Sequence, residues 1–187
     1  MMRTLEAPLS KETVRSLKLG EIVYINGPVI TGRDEMHIRA IEKAEKGEDV
    51  PKEITGSVLY HCGPIMTEID GKKAVVAAGP TTSARMNSLE SEMISRFHIR
   101  AIIGKGGMSP EVGKAMAKEG CVYLAATGGA AVTLAEGLCA VEGVEWGDLG
   151  MAEAMWKFRA NKLGPLIVAM DAQGNSLYEK VNSSLQR

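Results

Sequence analysis

Between about residues 73 and 138, short apolar runs alternate with amphipathic helical stretches, and glycine stands at most of the junctions. No other pattern in the chain limits its topology as tightly. Lys73–Ala78, Ala101–Gly104 and Cys121–Ala126 read as strands. Between the first two runs a helix carries Met86, Leu89, Met93, Ile94 and Phe97 on one stripe. Between the second and third, a helix starts with Ser109 as N-cap and Pro110 in its first position, and Gly120 ends it. Alternation of this kind predicts parallel strands joined by crossover helices.

The flanks are richer in strand. Glu21–Asn26, Ser57–Cys62, Met155–Ala160 and Leu166–Met170 are predicted strands, and a turn is expected over 171–174. Met66–Ile69 and Lys73–Ala78 flank Asp70-Gly71, a pair suited to a tight hairpin. Residues 10–18 read as a short helix or capped turn. Residues 34–46 read as a helix with Met36, Ile38, Ala40, Ile41 and Ala44 on its apolar side and Gly47 as its stop. Gly128-Gly129 is expected to open an apolar helix reaching about Leu138. Three apolar runs end in Gly-Pro, at 27–28, 63–64 and 79–80, where proline removes a donor and fixes φ. Their turns are predicted to gather at one end of the sheet, where open α/β sheets bind ligands. The expected fold is a mixed, layered β/β/α arrangement, with residues 1–187 as one domain.

Composition narrows the function classes. Of 187 residues, 45 % are apolar and only 4 % aromatic, so the core must be aliphatic and methionine-rich. The net charge is −1, and no basic stripe interleaved with aromatics is present for a nucleic-acid backbone. No apolar run is long enough for a membrane span, and Met1 to Pro8 has no apolar leader core, so a cytoplasmic location is expected. Cys62, Cys121 and Cys139 are odd in number and irregularly spaced, which predicts buried or half-buried free thiols rather than disulfides.

The chemistry-bearing segments are cationic and hydroxylic. In Gly79-Pro80-Thr81-Thr82-Ser83-Ala84-Arg85, Thr81 and Arg85 stand four apart and are predicted to share one face of a helix start, where free backbone N–H groups attract an anion. Arginine adds a fork that fits a carboxylate. Lys105 stands among glycines directly after a strand, in Gly104-Lys105-Gly106-Gly107, where its ammonium is clear of packing. The spacing is not that of a P-loop. Arg33 precedes Asp34, a candidate helix cap, and His37, a candidate hydrogen-bonding residue one turn on. Small residues at Thr127-Gly128-Gly129-Ala130-Ala131 are read as packing, and His61 and His98 as structural. No metal cage or Ser-His-Asp set is visible in the sequence. Arg33, Thr81, Arg85 and Lys105 together suit gripping carboxylates and stabilising negative charge in a transition state, with the electrophile supplied from elsewhere.

Taken in order, Gly-Arg-Asp-x-x-His at 32–37, Gly-Pro-Thr-Thr-Ser-x-Arg-Met at 79–86, Ile-Gly-Lys-Gly-Gly at 103–107, Gly-Gly-Ala-Ala at 128–131 and Leu-Gly-Met at 149–151 resemble the beta subunit, or C-terminal domain, of class I iron-sulfur fumarate hydratases and of the related L-tartrate dehydratases. The resemblance runs from about Leu9 to Tyr178. It implies a swivelling β/β/α three-layer domain with a mixed sheet. It also implies a hetero-oligomer with an alpha subunit that carries a [4Fe-4S] cluster, this chain holding no metal itself. The implied reaction is the reversible hydration of fumarate to L-malate, a step of the tricarboxylic acid cycle. The implied substrate contacts are Arg33, Thr81, Thr82, Arg85 and Lys105. The implied catalytic residues are Thr81, as the base, and Lys105, with Thr82 as the other candidate for the base. Ala84 and Asn87 depart from the glycine and aspartate frequent in relatives, which bears on specificity. An L-tartrate dehydratase beta subunit and a non-enzymatic anion- or nucleotide-binding module are the rival readings.

Overall fold

The computed structural model describes residues 2–185; Met1, Gln186 and Arg187, which the one-domain reading takes in, lie outside them. Nine strands and six α-helices are described. β1 (Met2–Glu6), α1 (Lys11–Arg15), β2 (Ile22–Gly32), α2 (Asp34–Glu45) and β3 (Val58–His61) come first. The hairpin β4 (Ile65–Ile69) and β5 (Lys72–Ala77) follows, then α3 (Asn87–Phe97), β6 (Ala101–Gly104), α4 (Pro110–Glu119) and β7 (Val122–Ala125). The chain continues through α5 (Ala131–Glu136), β8 (Leu138–Glu145), β9 (Met155–Met170) and α6 (Leu177–Leu185).

Seven strands form one mixed sheet in the order β1-β2-β3-β6-β7-β9-β8. The first five are parallel, and β9 runs antiparallel to β7 and β8. β9 also pairs antiparallel with β2, so β2, β3, β6, β7 and β9 close on themselves. Side chains alternate between two cores, as a period of two requires. Val58, Tyr60, Cys62, Ala101, Ile103, Val122 and Leu124 point into one core, and Leu59, Ile102 and Tyr123 point into the other. Helices α2, α3 and α4 cover that second core with Met36, Met93, Ile94, Phe97 and Met116.

The alternation of strand and helix over the middle of the chain is as predicted. So are the hairpin, whose Asp70 and Gly71 both take positive φ, and the Ser109 cap with Gly120 as terminator. Several flanking expectations are corrected. Gly27-Pro28 does not end a strand: β2 runs through it, with a register shift between Ile25 and Gly27 just before the pair. The two predicted closing strands are one strand of 16 residues. The helix expected from Gly128 is α5, which starts at Ala131 and stops before β8. Gly128 and Gly129 face open space, so close packing is not their reason for being small. Asp34 begins α2 but makes no side-chain cap; Arg33 holds that position. β1 and α6 are additions to the predicted elements; α6 follows Ser176, whose Oγ accepts from the Glu179 N–H.

Candidate carboxylate-binding site

The site lies at the C-terminal ends of the parallel strands. Gly32 of β2 stands beside His61 of β3, and Gly104 of β6 beside Ala125 of β7. The residues that follow these positions, Arg33 and Lys105, therefore emerge at one edge. Two of the Gly-Pro turns meet there, since Cys62 pairs with Pro80. From Pro80 the chain runs extended across the edge. The Thr81 N–H donates to the His61 carbonyl at 2.7 Å, the Lys105 N–H to the Thr81 carbonyl at 3.4 Å, and the Ser83 N–H to the Lys105 carbonyl at 3.0 Å. Thr81 and Thr82 are thereby fixed against Lys105 by the main chain.

This geometry corrects one expectation. Thr81 and Arg85 do not share a helical face, because Thr81 is extended and a short 3-10 turn, Ser83–Met86, intervenes before α3. Thr82 caps that turn without a side-chain bond. The segment therefore presents side chains, not the free N–H groups of a helix start, at this edge.

Both arginines are held by carboxylates of the chain itself. Arg33 Nε is 3.2 Å from Glu153 Oε1, and Arg85 is 3.1 Å from Asp34 Oδ2. Neither Arg33 Nε nor Asp34 Oδ2 gains an aligned hydrogen bond from its pair. A side chain at Gly63 would strike the Arg33 guanidinium at 2.9 Å, so that glycine gives the arginine its room. Lys105 is exposed and makes no ion pair among the described residues.

Beneath the edge runs a buried polar chain that sequence reasoning missed. Glu90 of α3, wholly buried, lies with one oxygen 3.1 Å from His37 Nε2 and 3.0 Å from His61 Nε2. His37 Nδ1 reaches the Arg33 carbonyl at 2.7 Å, and His61 Nδ1 meets Ser83 Oγ at 2.9 Å. The Tyr123 hydroxyl donates to Ser83 Oγ at 2.9 Å and accepts from the Gly107 N–H at 3.3 Å. With Glu90 ionised, one set of protons satisfies the donors and acceptors. His37 faces an acceptor at each nitrogen and is an imidazolium; His61 faces a carboxylate and a hydroxyl and is neutral. Burial alone would raise the Glu90 carboxyl, but the facing histidines and their N–H groups bring it down to about 2. Burial depresses His37, yet the Glu90 charge and its hydrogen bond lift it above the ordinary histidine value. For His61 burial prevails and the ring is lowered. The three groups have the composition of a metal site; Glu90 is hydrogen-bonded to His37 and lies 3.0 Å from His61 Nε2 without an aligned bond.

The sequence did carry a signal for Glu90. It stands four residues after Met86 and four before Ile94, on the stripe that packs into the core, where a charge demands partners. The structural reading of His37 and His61 agrees with their hydrogen bonds; His98, whose ring lies 3.3 Å from Glu119, is exposed.

The family described as fumarase C-terminus matches residues 2–181. The chain belongs to that family. It is 48 % identical over 178 residues to a protein of Methanocaldococcus jannaschii provisionally named an L(+)-tartrate dehydratase subunit beta, covering 95 % of this chain and 91 % of the relative. It is 35 % identical over 177 residues to the L(+)-tartrate dehydratase subunit beta of Escherichia coli K12, covering 95 % and 87 %. A protein of Geobacillus stearothermophilus, provisionally named a class I fumarate hydratase, is 43 % identical over 182 residues; the match takes in 97 % of this chain but only 34 % of that longer protein.

The cysteines of this fumarase C-terminus chain do not form a ligand set for an iron-sulfur cluster. Cys62 and Cys121 lie in different cores, and burial pushes the first thiol to about 12 and the second well above its ordinary value. Cys139, expected to be at least half-buried, is exposed on β8 with its Sγ 3.3 Å from the Arg159 carbonyl. No helix among the described residues is long and apolar enough to cross a membrane.

Proposed function

We propose that this chain is the beta-type subunit of a heteromeric hydro-lyase and that it grips a four-carbon dicarboxylate during the reversible hydration of fumarate to L-malate. The observation that carries the reading is the convergence of Arg33, Thr81, Thr82, Arg85 and Lys105 on one strand-end edge, with Thr81 and Lys105 tied by the main chain. Such an edge offers several donors and cations to an anion with a carboxylate at each end. The [4Fe-4S] cluster implied by the resemblance is assigned to an alpha subunit, since the thiols here do not suit it. No step of the chemistry through that cluster is derived from this chain.

In this mechanism Arg33, Arg85 and Lys105 bind the carboxylates and hold the extra negative charge that develops when the carbon-bound proton leaves. The substrate takes the places that Asp34 and Glu153 hold on the two arginines. Thr81, half-buried beside Lys105, is the residue proposed to take the proton: its hydroxyl proton passes to solvent, the adjacent cations stabilise the alkoxide, and the alkoxide accepts the carbon-bound proton. L(+)-tartrate is the second substrate reading, favoured by the names of the two relatives that match over most of their own length.

The test is anaerobic co-purification with the cluster-bearing partner, followed by fumarate, malate and L(+)-tartrate assays. Turnover of fumarate and malate supports the first reading, and turnover of tartrate alone replaces it with the second. Loss of neither activity on replacing Arg85 and Lys105 would leave the chain an assembly subunit. Thr81→Val is expected to abolish turnover while substrate still binds; near-normal turnover would remove Thr81 from proton transfer.

A further inference from the structure

The three segments that deliver the grip come from separate parts of the chain, and a single buried polar path connects them. Its first end is the Arg33 carbonyl, reached by His37. Its middle is Ser83, directly after the two threonines, reached by His61. Its far end is the Gly107 N–H, in the loop that carries Lys105, reached by Tyr123. Glu90 is hydrogen-bonded to His37 and lies 3.0 Å from His61 Nε2 without an aligned hydrogen bond; its second oxygen has no hydrogen-bond partner among the described residues.

We infer that Glu90 and the path through it form a positioning device, which sets the Arg33 turn, the Thr81–Arg85 segment and the Lys105 loop in one register for the dicarboxylate. This rests on reading that edge as a carboxylate grip. None of its side chains needs to touch substrate. Glu90, His37, His61 and Ser83 are each fully buried, and Tyr123 is likewise closed to solvent. A carboxylate buried among apolar residues costs folding free energy that a methionine or leucine would not, so its retention on the core stripe of α3 requires a return. Directional donors provide one, because a hydrogen bond fixes angle as well as distance, which aliphatic packing does not. The close fit at Gly104 agrees: a Cβ there would stand 2.0 Å from Ser83 Oγ and 2.9 Å from the Tyr123 hydroxyl, so the backbone is cleared for this contact.

The test uses Glu90→Gln and Tyr123→Phe in the full chain, alone and with its cluster-bearing partner. Tyr123→Phe removes one oxygen from a packed ring and keeps the experiment decisive if Glu90→Gln folds poorly. Amide hydrogen exchange at Ser83 and Gly107 in the chain alone is expected to quicken at least tenfold. In the complex, the KM for substrate and the Ki for succinate are expected to rise about tenfold for Tyr123→Phe, with a smaller change in kcat and a Tm within a few degrees of wild type. Unchanged exchange in both variants overturns the positioning role, and so does faster exchange with an unchanged Ki. A wild-type complex that neither turns over nor is inhibited by any four-carbon dicarboxylate overturns the grip itself, a failure recognisable before any variant is made.

Discussion

Arg85 is half exposed, yet it is already committed to Asp34, so its loss acts on two groups at once. Arg85→Ala is expected to lower kcat/KM by at least about tenfold, or about 1.4 kcal/mol of transition-state binding, in steady-state assays of the complex. A drop smaller than that would place the arginine outside the site. Gly104→Ala is expected to rotate the Ser83 hydroxyl away from His61 and Tyr123 and to destabilise the fold by about 1–3 kcal/mol in urea titrations, the usual cost of stranding buried polar groups. Adding Ser83→Ala should then cost little more, because both changes remove the same contacts. At this scale the sequence was legible where an unusual residue stands in a loop: a lysine among glycines, an arginine after Gly32, both of which emerge at the strand-end edge. It was far less legible for Ser83 and Tyr123, whose partners lie 40 residues apart and whose residue types are ordinary for their elements.

Among the elements, α6 bears on the site without contributing a ligand. Tyr178 packs edge-on to Tyr123, with ring centroids 6.4 Å apart, and covers Gly107 so closely that a Cβ there would meet the ring at 2.6 Å. Gly107 also takes φ +75°, so glycine is required twice over. Tyr178→Ala is expected to leave the sheet intact, lower Tm by several degrees and raise the KM for substrate, because the Lys105 loop loses its cover. An unaltered KM would confine α6 to a role in stability. Leu177 packs on the same core as Tyr178, so the helix is anchored by its first turn. β2 and β9 were misread in the sequence. Gly27-Pro28 and Gly164-Pro165 look like strand ends locally, and only pairing with each other's strand carries them through.

For the molecule as a whole, the buried triad gives stability a defined dependence on pH. Glu90 is depressed, so its contribution is present above its ordinary value of 4.5 and fades as pH falls toward 2. His61, also depressed, contributes above its ordinary 6.5 and loses that contribution as pH falls through its lowered value. His37 is raised, so its contribution is complete below 6.5 and is lost as pH rises through the raised value. The Tm difference between wild type and Glu90→Gln should therefore be greatest between about pH 4.5 and 6.5 and shrink on both sides. A difference that does not shrink on the alkaline side would mean that Glu90 does not hold His37 protonated. The parallel middle of the sheet, and with it the edge that bears the site, was legible because crossover helices leave a regular period; the closure of the sheet was not, since nothing local marks it.

That closure has a bearing on how the chain is made. β2 finds one of its two long borders only in β9, whose residues are synthesised after every other described strand. A nascent chain that has emerged as far as β7 has its crossover helices in hand but holds Val23, Ile25 and Val29 without the strand that encloses them. Folding of the interior core must wait for the last long strand, and until then the newborn subunit offers an open, apolar strand border to whatever it meets.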